Sequence, residues 1–444
     1  MGTRAALCQA DKVRIYTGKL AGQTHAELAH ELNCSLETVR KWWRRGRKQG
    51  LEGLRERRHG RKKTGILSQF DPEVAQKAKE YKRAHHRWGA DRVLLELSME
   101  KDLQGKRFPK RSRLAAYFKA VCPDCVTQYN LHPPPTQRHD QAQSVHEVWQ
   151  MDNQEEIQLA NGDLAIICQI RDPFGAAPIT AQAFGGKVTT RSRKLTFVEF
   201  RQVLRIAFTE WQTLPDCVST DNELRFIGNP SSDFPSLLTL YLVGLGIQHS
   251  FIPPATPTAH AQVERGHRSF DNLAFDGAAL QDVEHLQAAL DRERAVYLLE
   301  FPVHASDCQG RPPLLAHPEL LHPRRFYQPE LEPLLFSMQR VYDYLATFTF
   351  ERIISQSGCV ALSHQISIGR QFARQFSDRK VWVRCDPIRQ EWVFLRKPEN
   401  VQDEWIELTR RPIQGLTFES LTGLDPTISL PSLPVQLELP FPVR

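Results

Sequence analysis

The sequence predicts a multidomain chain with all-α helix-turn-helix units at the N-terminus, a central α/β domain built on a mixed five-stranded sheet, and a small C-terminal β-barrel. Three observations carry this prediction. Apolar residues recur at spacings of three and four through the first quarter of the chain; strand-like runs bounded by turn residues begin at Val148 and give way to alternating helix and strand; short β segments separated by Gly and Asp fill 350–394. The length of 444 residues agrees, being about three times a typical domain of roughly 150.

With 41% hydrophobic and 25% charged residues, the composition is that of folded domains, not of disordered or collagen-like chains. No window approaches the roughly 18 to 20 consecutive apolar residues of a membrane span, and the N-terminal residues lack a signal-type apolar stretch. The expectation is a soluble, cytoplasmic protein without a membrane partner. Its net charge of +7 is unevenly placed: residues 1–120 carry 29 Lys and Arg against 13 Asp and Glu, or +16, which leaves −9 for the remainder. A basic segment on an acidic chain points to a polyanion partner, because phosphate neutralisation dominates nucleic-acid affinity. The nine cysteines are dispersed apart from Cys122 and Cys125. That usage fits a reducing compartment, and the pair reads better as turn cysteines than as half of a zinc site with His132 and His139.

The first helix-turn-helix unit spans 1–65. His25 to Leu32 sets Leu28, Ala29 and Leu32 on one face, Asn33-Cys34-Ser35 forms a turn with Ser35 as N-cap, and a second helix runs from Leu36 to Lys48. In it Leu36, Val39 and Trp42 or Trp43 should pack inward, leaving Arg40, Lys41, Arg44 and Arg45 outside. A basic outer face on an apolar inner one is what docking into a DNA major groove requires. Arg61, Lys62 and Lys63 continue the charge as an arm for the backbone or minor groove. A second helical unit, 66–125, comprises Pro72 to His86, Asp91 to Lys101 and a basic helix from Lys110 to Ala120, in which Lys110, Arg111 and Arg113 are candidate DNA contacts. A plain three-helix packing domain explains the same pattern. Residues 126–145, with Pro133-Pro134-Pro135, read as a semi-rigid linker.

The central domain, 146–285, opens with strands at Val148–Asp152, Leu164–Ile170 and Ala176–Phe184 joined by turn signals at Asn161-Gly162 and Pro173-Phe174-Gly175. An amphipathic helix with Phe197, Phe200, Leu204, Ala207, Phe208 and Trp211 on one face follows. A strand ending at Asp221, a helix over Ser236–Leu245, a strand over Gly246–Ile252 and a helix bearing Glu264 complete the order. Asp152, Asp221 and Glu264 thus converge at one edge of the sheet. Attack on a phosphodiester needs an activated nucleophile and neutralisation of the leaving oxygen, which two divalent ions supply, and hard ions require clustered carboxylates. Asp163, Asp172 and Asp216 stand at turns and strand ends, where Asp bonds to local backbone, and are read as structural.

These residues carry a resemblance. Val148-Trp149-Gln150-Met151-Asp152, Ser219-Thr220-Asp221-Asn222, and the run from Pro253 through His260 to Val263-Glu264-Arg265 resemble the catalytic core of integrase-type DDE transposases of bacterial insertion sequences. The resemblance implies a ribonuclease H-like fold and assigns Asp152, Asp221 and Glu264 as catalytic residues and metal ligands. Two Mg²⁺ or Mn²⁺ ions per site are the implied cofactors. It departs in having 42 residues between Asp221 and Glu264, more than is usual, and His260 in place of Asn. The extra length falls in a Gly-Asn-Pro-Ser-Ser loop, and neither change removes a ligand. One turn beyond Glu264, Arg268 is a candidate phosphate contact.

A helical and Pro-rich extension occupies 286–345, the barrel 346–412 and a Pro-rich tail 413–444. Arg370, Arg374 and Arg384 are the barrel's candidate contacts with DNA or another subunit. The expected function is a transposase that binds element ends, hydrolyses a phosphodiester and joins the freed 3′ hydroxyl to target DNA. Its expected partners are double-stranded DNA at the ends and target, further copies of itself, and an accessory ATPase in one variant of the scheme; when bound it would be nucleoid-associated. The alternative is a transposase-derived DNA-binding regulator whose core is catalytically silent.

Overall fold

The computed structural model describes residues 7–55, 65–126, 142–186, 194–221, 233–251, 280–304, 307–362, 364–376, 378–397 and 405–425. The chain divides into two compact units, Met1–Ser68 and Gln69–Arg444.

The first unit holds α1 (Gln9–Leu20), α2 (His25–Glu31) and α3 (Leu36–Gln49). Helix α2 starts at a capping box in which Thr24 and Glu27 satisfy each other's backbone N–H groups. Asn33, at φ 46°, turns the chain in the left-handed region, and Ser35 Oγ then accepts from Thr38 N–H at 3.2 Å to start α3. Ile15, Leu28, Ala29 and Val39 form the core, with Trp42 and Trp43 packed against it. Gly46 lets α3 approach α1: a Cβ there would lie 2.5 Å from the Tyr16 ring. One expectation fails. Leu36 is 45% exposed, because it occupies the first turn of α3, beyond the reach of the other two helices.

The second unit begins with α4 (Pro72–Ala84), α5 (Ala90–Met99) and α6 (Arg111–Val121), with Asp71 as N-cap and Pro72 at the first position of α4. Val74, Ala78, Val93, Leu97, Leu114 and Phe118 are buried, as are Cys122 and Cys125, both free thiols. Next come β1 (Val148–Gln158), β2 (Leu164–Asp172), β3 (Ala177–Gly186), α7 (Phe197–Trp211), β4 (Cys217–Thr220), α8 (Leu237–Gly244), β5 (Gln248–Phe251) and α9 (Val283–Leu299). The five strands make one mixed sheet in the order β3-β2-β1-β4-β5, with β1–β2 and β2–β3 antiparallel and β1–β4 and β4–β5 parallel. This is the mixed five-stranded sheet expected.

Alternation along the strands sorts the two faces. Trp149, Met151, Ile166, Cys168, Ile170, Ile179 and Val218 join Phe200, Leu204, Phe208 and Trp211 of α7 in the main core. On the opposite face Ala165, Ile167 and Ala181 pack against Leu286 and Leu290 of α9. A buried ion pair ties α9 to α5: Arg92 donates to both carboxylate oxygens of Glu293, at 2.8 and 3.0 Å, and its guanidinium lies 4.9 Å over Trp88.

The C-terminal part departs from the expected barrel. Helix α10 (Met338–Ala346) precedes β6 (Phe350–Ile353), β7 (Cys359–Ala361), β8 (Gln365–Ser367), α11 (Arg370–Gln375), β9 (Lys380–Asp386), β10 (Glu391–Arg396), β11 (Ile406–Pro412) and α12 (Phe418–Thr422). Among the described residues the strands form an open four-stranded sheet, β11-β10-β9-β6, and a separate β7-β8 hairpin. Closure requires every strand to have two neighbours; β6 pairs only with β9. The apolar face is instead covered by Val341, Tyr342 and Leu345 of α10, which share a core with Val381, Val383, Trp392 and Phe394. Arg370 and Arg374 lie in α11, and Arg384 bonds Thr349 Oγ1 at 2.9 Å beneath the Trp405 ring. No helix among the described residues is long and apolar enough to cross a membrane.

Candidate catalytic edge and DNA-binding helix

Helix α3 presents Arg40, Lys41 and Arg44 to solvent, as its spacing requires. Arg45 is partly buried, its guanidinium 5.2 Å over the Trp42 ring, which Lys12 approaches to 4.9 Å from the α1 side. The exposed trio is the part of the face turned to solvent, with Arg40 3.9 Å from Glu37 and Lys41 5.9 Å over the Trp42 ring. Arg44→Ala and Lys41→Ala are each expected to weaken DNA binding and to lower the slope of log K against log salt by about 0.9 per lost phosphate contact. Binding isotherms at several salt concentrations check this; an unchanged slope in both variants counts against α3 as the docking helix.

In the second helical segment Lys110 is exposed at the N-cap of α6. Arg111 pairs with Asp91 at 2.9 Å, and Arg113 lies 5.7 Å over Phe70. Both candidate contacts thus have partners within the fold. Arg61, Lys62, Lys63, Glu264 and Arg268 lie outside the described residues.

Strands β1 and β4 run parallel, with Gln150 opposite Ser219 and Met151 opposite Thr220. Asp152 and Asp221 are the next residues along, one beyond the last pair of that register. Asp152 does not end its strand, as the sequence suggested: β1 continues to Gln158, and a bulge between Gln154 and Ile157 interrupts its pairing with β2. The Asn153 N–H donates to Asp152 Oδ1 at 2.9 Å.

The same register sets Gln169 of β2 across from Asp152, and Gln150 across from Arg171. Paired residues project to one face, so Gln150, Asp152, Gln169 and Ser219 share a side of the sheet. Gln150 is 5%, Gln169 2% and Ser219 1% exposed, yet Gln150 Oε1, both amide atoms of Gln169 and Ser219 Oγ have no hydrogen-bond partner. Sequence reasoning passed over this row, although polar residues at alternate positions of a strand (Gln150, Asp152, Gln154) are its signal. Among the described residues no three His, Cys, Asp or Glu side chains gather as a metal site. The two carboxylates and the orphaned oxygens beside them are all hard donors, which fits Mg²⁺ or Mn²⁺ and not a soft ion.

The other face braces the edge. His249 of β5 bonds Thr220 Oγ1 through Nε2 at 3.1 Å and Thr239 Oγ1 of α8 through Nδ1 at 2.9 Å, holding the end of β4 just before Asp221. Farther along, Trp149 donates its indole N–H to His146 Nδ1 at 3.2 Å, so Nε2 must carry the proton it gives to Leu320 O at 2.8 Å. Asp172 accepts from the N–H groups of His146 and Gly175 at 2.6 and 2.8 Å, and Asp216 pairs with Arg324 at 2.6 Å. Both have structural partners.

Burial brings the His249 pKa down to about 4 and lowers that of His146, while it pushes the Asp172 carboxyl up to about 6. The unfolded chain protonates these imidazoles near 6.5, so their stabilisation is complete above about 6.5 and is lost as pH falls through the lowered folded values, about 4 for His249. Asp172 acts oppositely: the unfolded carboxyl ionises near 3.9, so its buried form costs stability as pH rises from about 4 to about 6. Two imidazoles against one carboxyl predict a melting temperature that falls from pH 6.5 to pH 5. Asp172→Asn, which removes the titrating group and keeps an oxygen for one of the two N–H groups, should steepen that fall; a shallower slope in the variant contradicts the assignment.

Residues 19–63 match the family model of a helix-turn-helix domain. Among solved structures, the chain is similar to the catalytic core domain of BIV integrase at 20% identity, covering 40% of this chain and 97% of that one, with a TM-score of 0.29. It is similar to a chain of the simian T-cell lymphotropic virus intasome, in complex with PP2A regulatory subunit B56 gamma, at 16% identity over 77% of this chain and 100% of that one, TM-score 0.32. A third similar structure is the HTLV-2 integrase catalytic core domain in complex with magnesium, at 18% identity over 40% of this chain and 99% of that one, TM-score 0.29.

Proposed function

We propose that this chain is a DNA transposase that binds the ends of its element and performs metal-dependent phosphodiester hydrolysis and strand transfer at the β1–β4 edge. The observation that supports the reading is the parallel β1–β4 register, whose last pair, Met151 and Thr220, directly precedes Asp152 and Asp221. Asp152, Asp221 and, from the motif, Glu264 would hold Mg²⁺ or Mn²⁺. When bound, such ions lower the pKa of an attacking hydroxyl and neutralise charge on the leaving oxygen. The chain's own residues supply the rest. Helix α3, with Arg40, Lys41 and Arg44 outward, grips the DNA backbone and base edges, and Arg61, Lys62, Lys63 and Lys110 extend that grip. The His249–Thr220 contact fixes the strand that carries Asp221. Arg268 neutralises a phosphate near the reacting one. Joining two ends to one target calls for more than one copy of the chain.

The test uses the full chain, Mg²⁺ or Mn²⁺, and duplex DNA carrying the inverted repeats that flank its coding region. Nicking at the repeat terminus and joining of the new 3′ end to a second duplex are the expected products. Tight, end-specific binding with neither product would favour the silent-core regulator.

A further inference from the structure

We infer that Gln169, with Gln150 and Ser219, is part of the cation site, accepting hydrogen bonds from the hydration shell of a divalent ion held at Asp152. The inference deepens the proposed function and rests on it. Its ground is a row of buried, unpaired polar side chains on the strand face that carries Asp152.

Gln169 is the key residue. It stands directly across from Asp152 in the antiparallel β1–β2 register, on the same face. It is 2% exposed, and neither Oε1 nor Nε2 has a partner. Burying an amide unpaired is strongly unfavourable, and native interiors rarely tolerate it. Here it is not isolated: Gln150 Oε1 and Ser219 Oγ, on the paired positions of β1 and β4, are orphaned too. Three unpaired oxygens line this face, where the Nε2 of Gln169 and the Nη1 of Arg171 are unpaired as well; the oxygens still call for donors aimed at them. Mg²⁺ and Mn²⁺ bring them, because a small divalent ion bound through one or two carboxylates keeps several waters whose O–H groups point outward. Apolar residues at 150 and 169 would fill the same strand positions without this deficit, as the neighbouring Ile166, Cys168 and Ile170 do on the other face. An amide at a site that would otherwise favour a hydrocarbon marks a ligand, and outer hydrogen-bond partners of a metal site commonly set its affinity by about 10- to 100-fold.

The experiment is Mn²⁺ binding to the full chain without DNA, followed by electron paramagnetic resonance, with melting temperatures taken in chelator. Gln169→Met keeps the length of the side chain and removes the amide. It should weaken Mn²⁺ binding about tenfold and leave the melting temperature in chelator equal to or above that of the parent. Gln169→Glu, which restores an acceptor, should bind Mn²⁺ at least as tightly as the parent, and Ser219→Ala should weaken binding in the same sense as Gln169→Met. Unchanged Mn²⁺ binding in Gln169→Met would overturn the inference. So would a lower melting temperature in chelator with binding lost in Gln169→Met and Gln169→Glu alike, since that is the mark of a packing residue. Asp152→Asn separates the two levels of the argument: if it binds Mn²⁺ like the parent, the catalytic reading of the edge fails as a whole, whereas loss of binding there with none in Gln169→Met refutes only the role of the amide.

Discussion

Asp152→Asn is expected to reduce strand cleavage and strand transfer by at least about 10³-fold while end binding stays within about twofold of the parent. The substitution keeps the shape of the side chain and an oxygen for the Asn153 N–H, so the local fold is preserved. What it removes is a negative charge from the proposed metal site just beyond the β1–β4 register. Groups that stabilise charge developing at the reacting centre are each worth about 10² to 10³ in rate, and loss of a ligand compromises the activation of the nucleophile as well. Because the DNA contacts assigned to α3 belong to the first unit, binding has no reason to follow. Gel-shift titration beside a labelled-strand joining assay reads both quantities on one preparation. Parent-level joining by the variant would remove Asp152 from the chemistry.

The second large effect concerns stability. Glu332→Ala should destabilise the Gln69–Arg444 unit by about 3 to 5 kcal/mol, the usual result of removing one partner from a buried ion pair. The Glu332 carboxylate is buried and accepts from Arg205 Nε at 2.8 Å, Arg205 Nη2 at 2.6 Å, Tyr327 OH at 2.7 Å and Tyr241 OH at 3.1 Å. Truncation strands a guanidinium and two phenols at once. Glu332→Gln, which keeps an acceptor, should cost less. Midpoints of chemical unfolding for the two variants give the comparison, and an Ala variant no weaker than the Gln variant would contradict it.

Legibility from sequence followed the strength of local signals. Helices α2 and α3 were readable because Ser35, Asn33 and the apolar spacing agree on one turn, and the helical part of the extension after the central domain is α9, Val283–Leu299. Helix α1 was not: Ile15 is its one fully buried large side chain, too little for a pattern. Strand β11, with Arg410 and Arg411 among seven residues, lacks the apolar run of an ordinary strand. The open C-terminal sheet was read as a barrel because alternation tells which face is apolar but not what covers it, and here α10 does. The sequence also does not show the neighbours of its basic residues: Arg45, Arg111 and Arg113 have Trp42, Asp91 and Phe70 beside them. For the edge itself, Asp152 and Asp221 were legible through flanking motifs, whereas Gln169 stands out only once register and burial are known together.

The Arg92–Glu293 pair gives the second unit a metrical property. With α5 bound to α9, and α9 packed on the sheet that carries Asp152, the exposed Lys110 on the helix beside α5 belongs to the same compact unit as the proposed reacting edge. On the proposed function, a duplex held at both points would be measured against a ruler graduated in base pairs. One extra pair between them shifts the scissile phosphate by about 3.4 Å and turns it by roughly a tenth of a helical repeat. A fixed gauge of this kind would choose where to cut by counting along the DNA, even at positions whose bases no side chain reads.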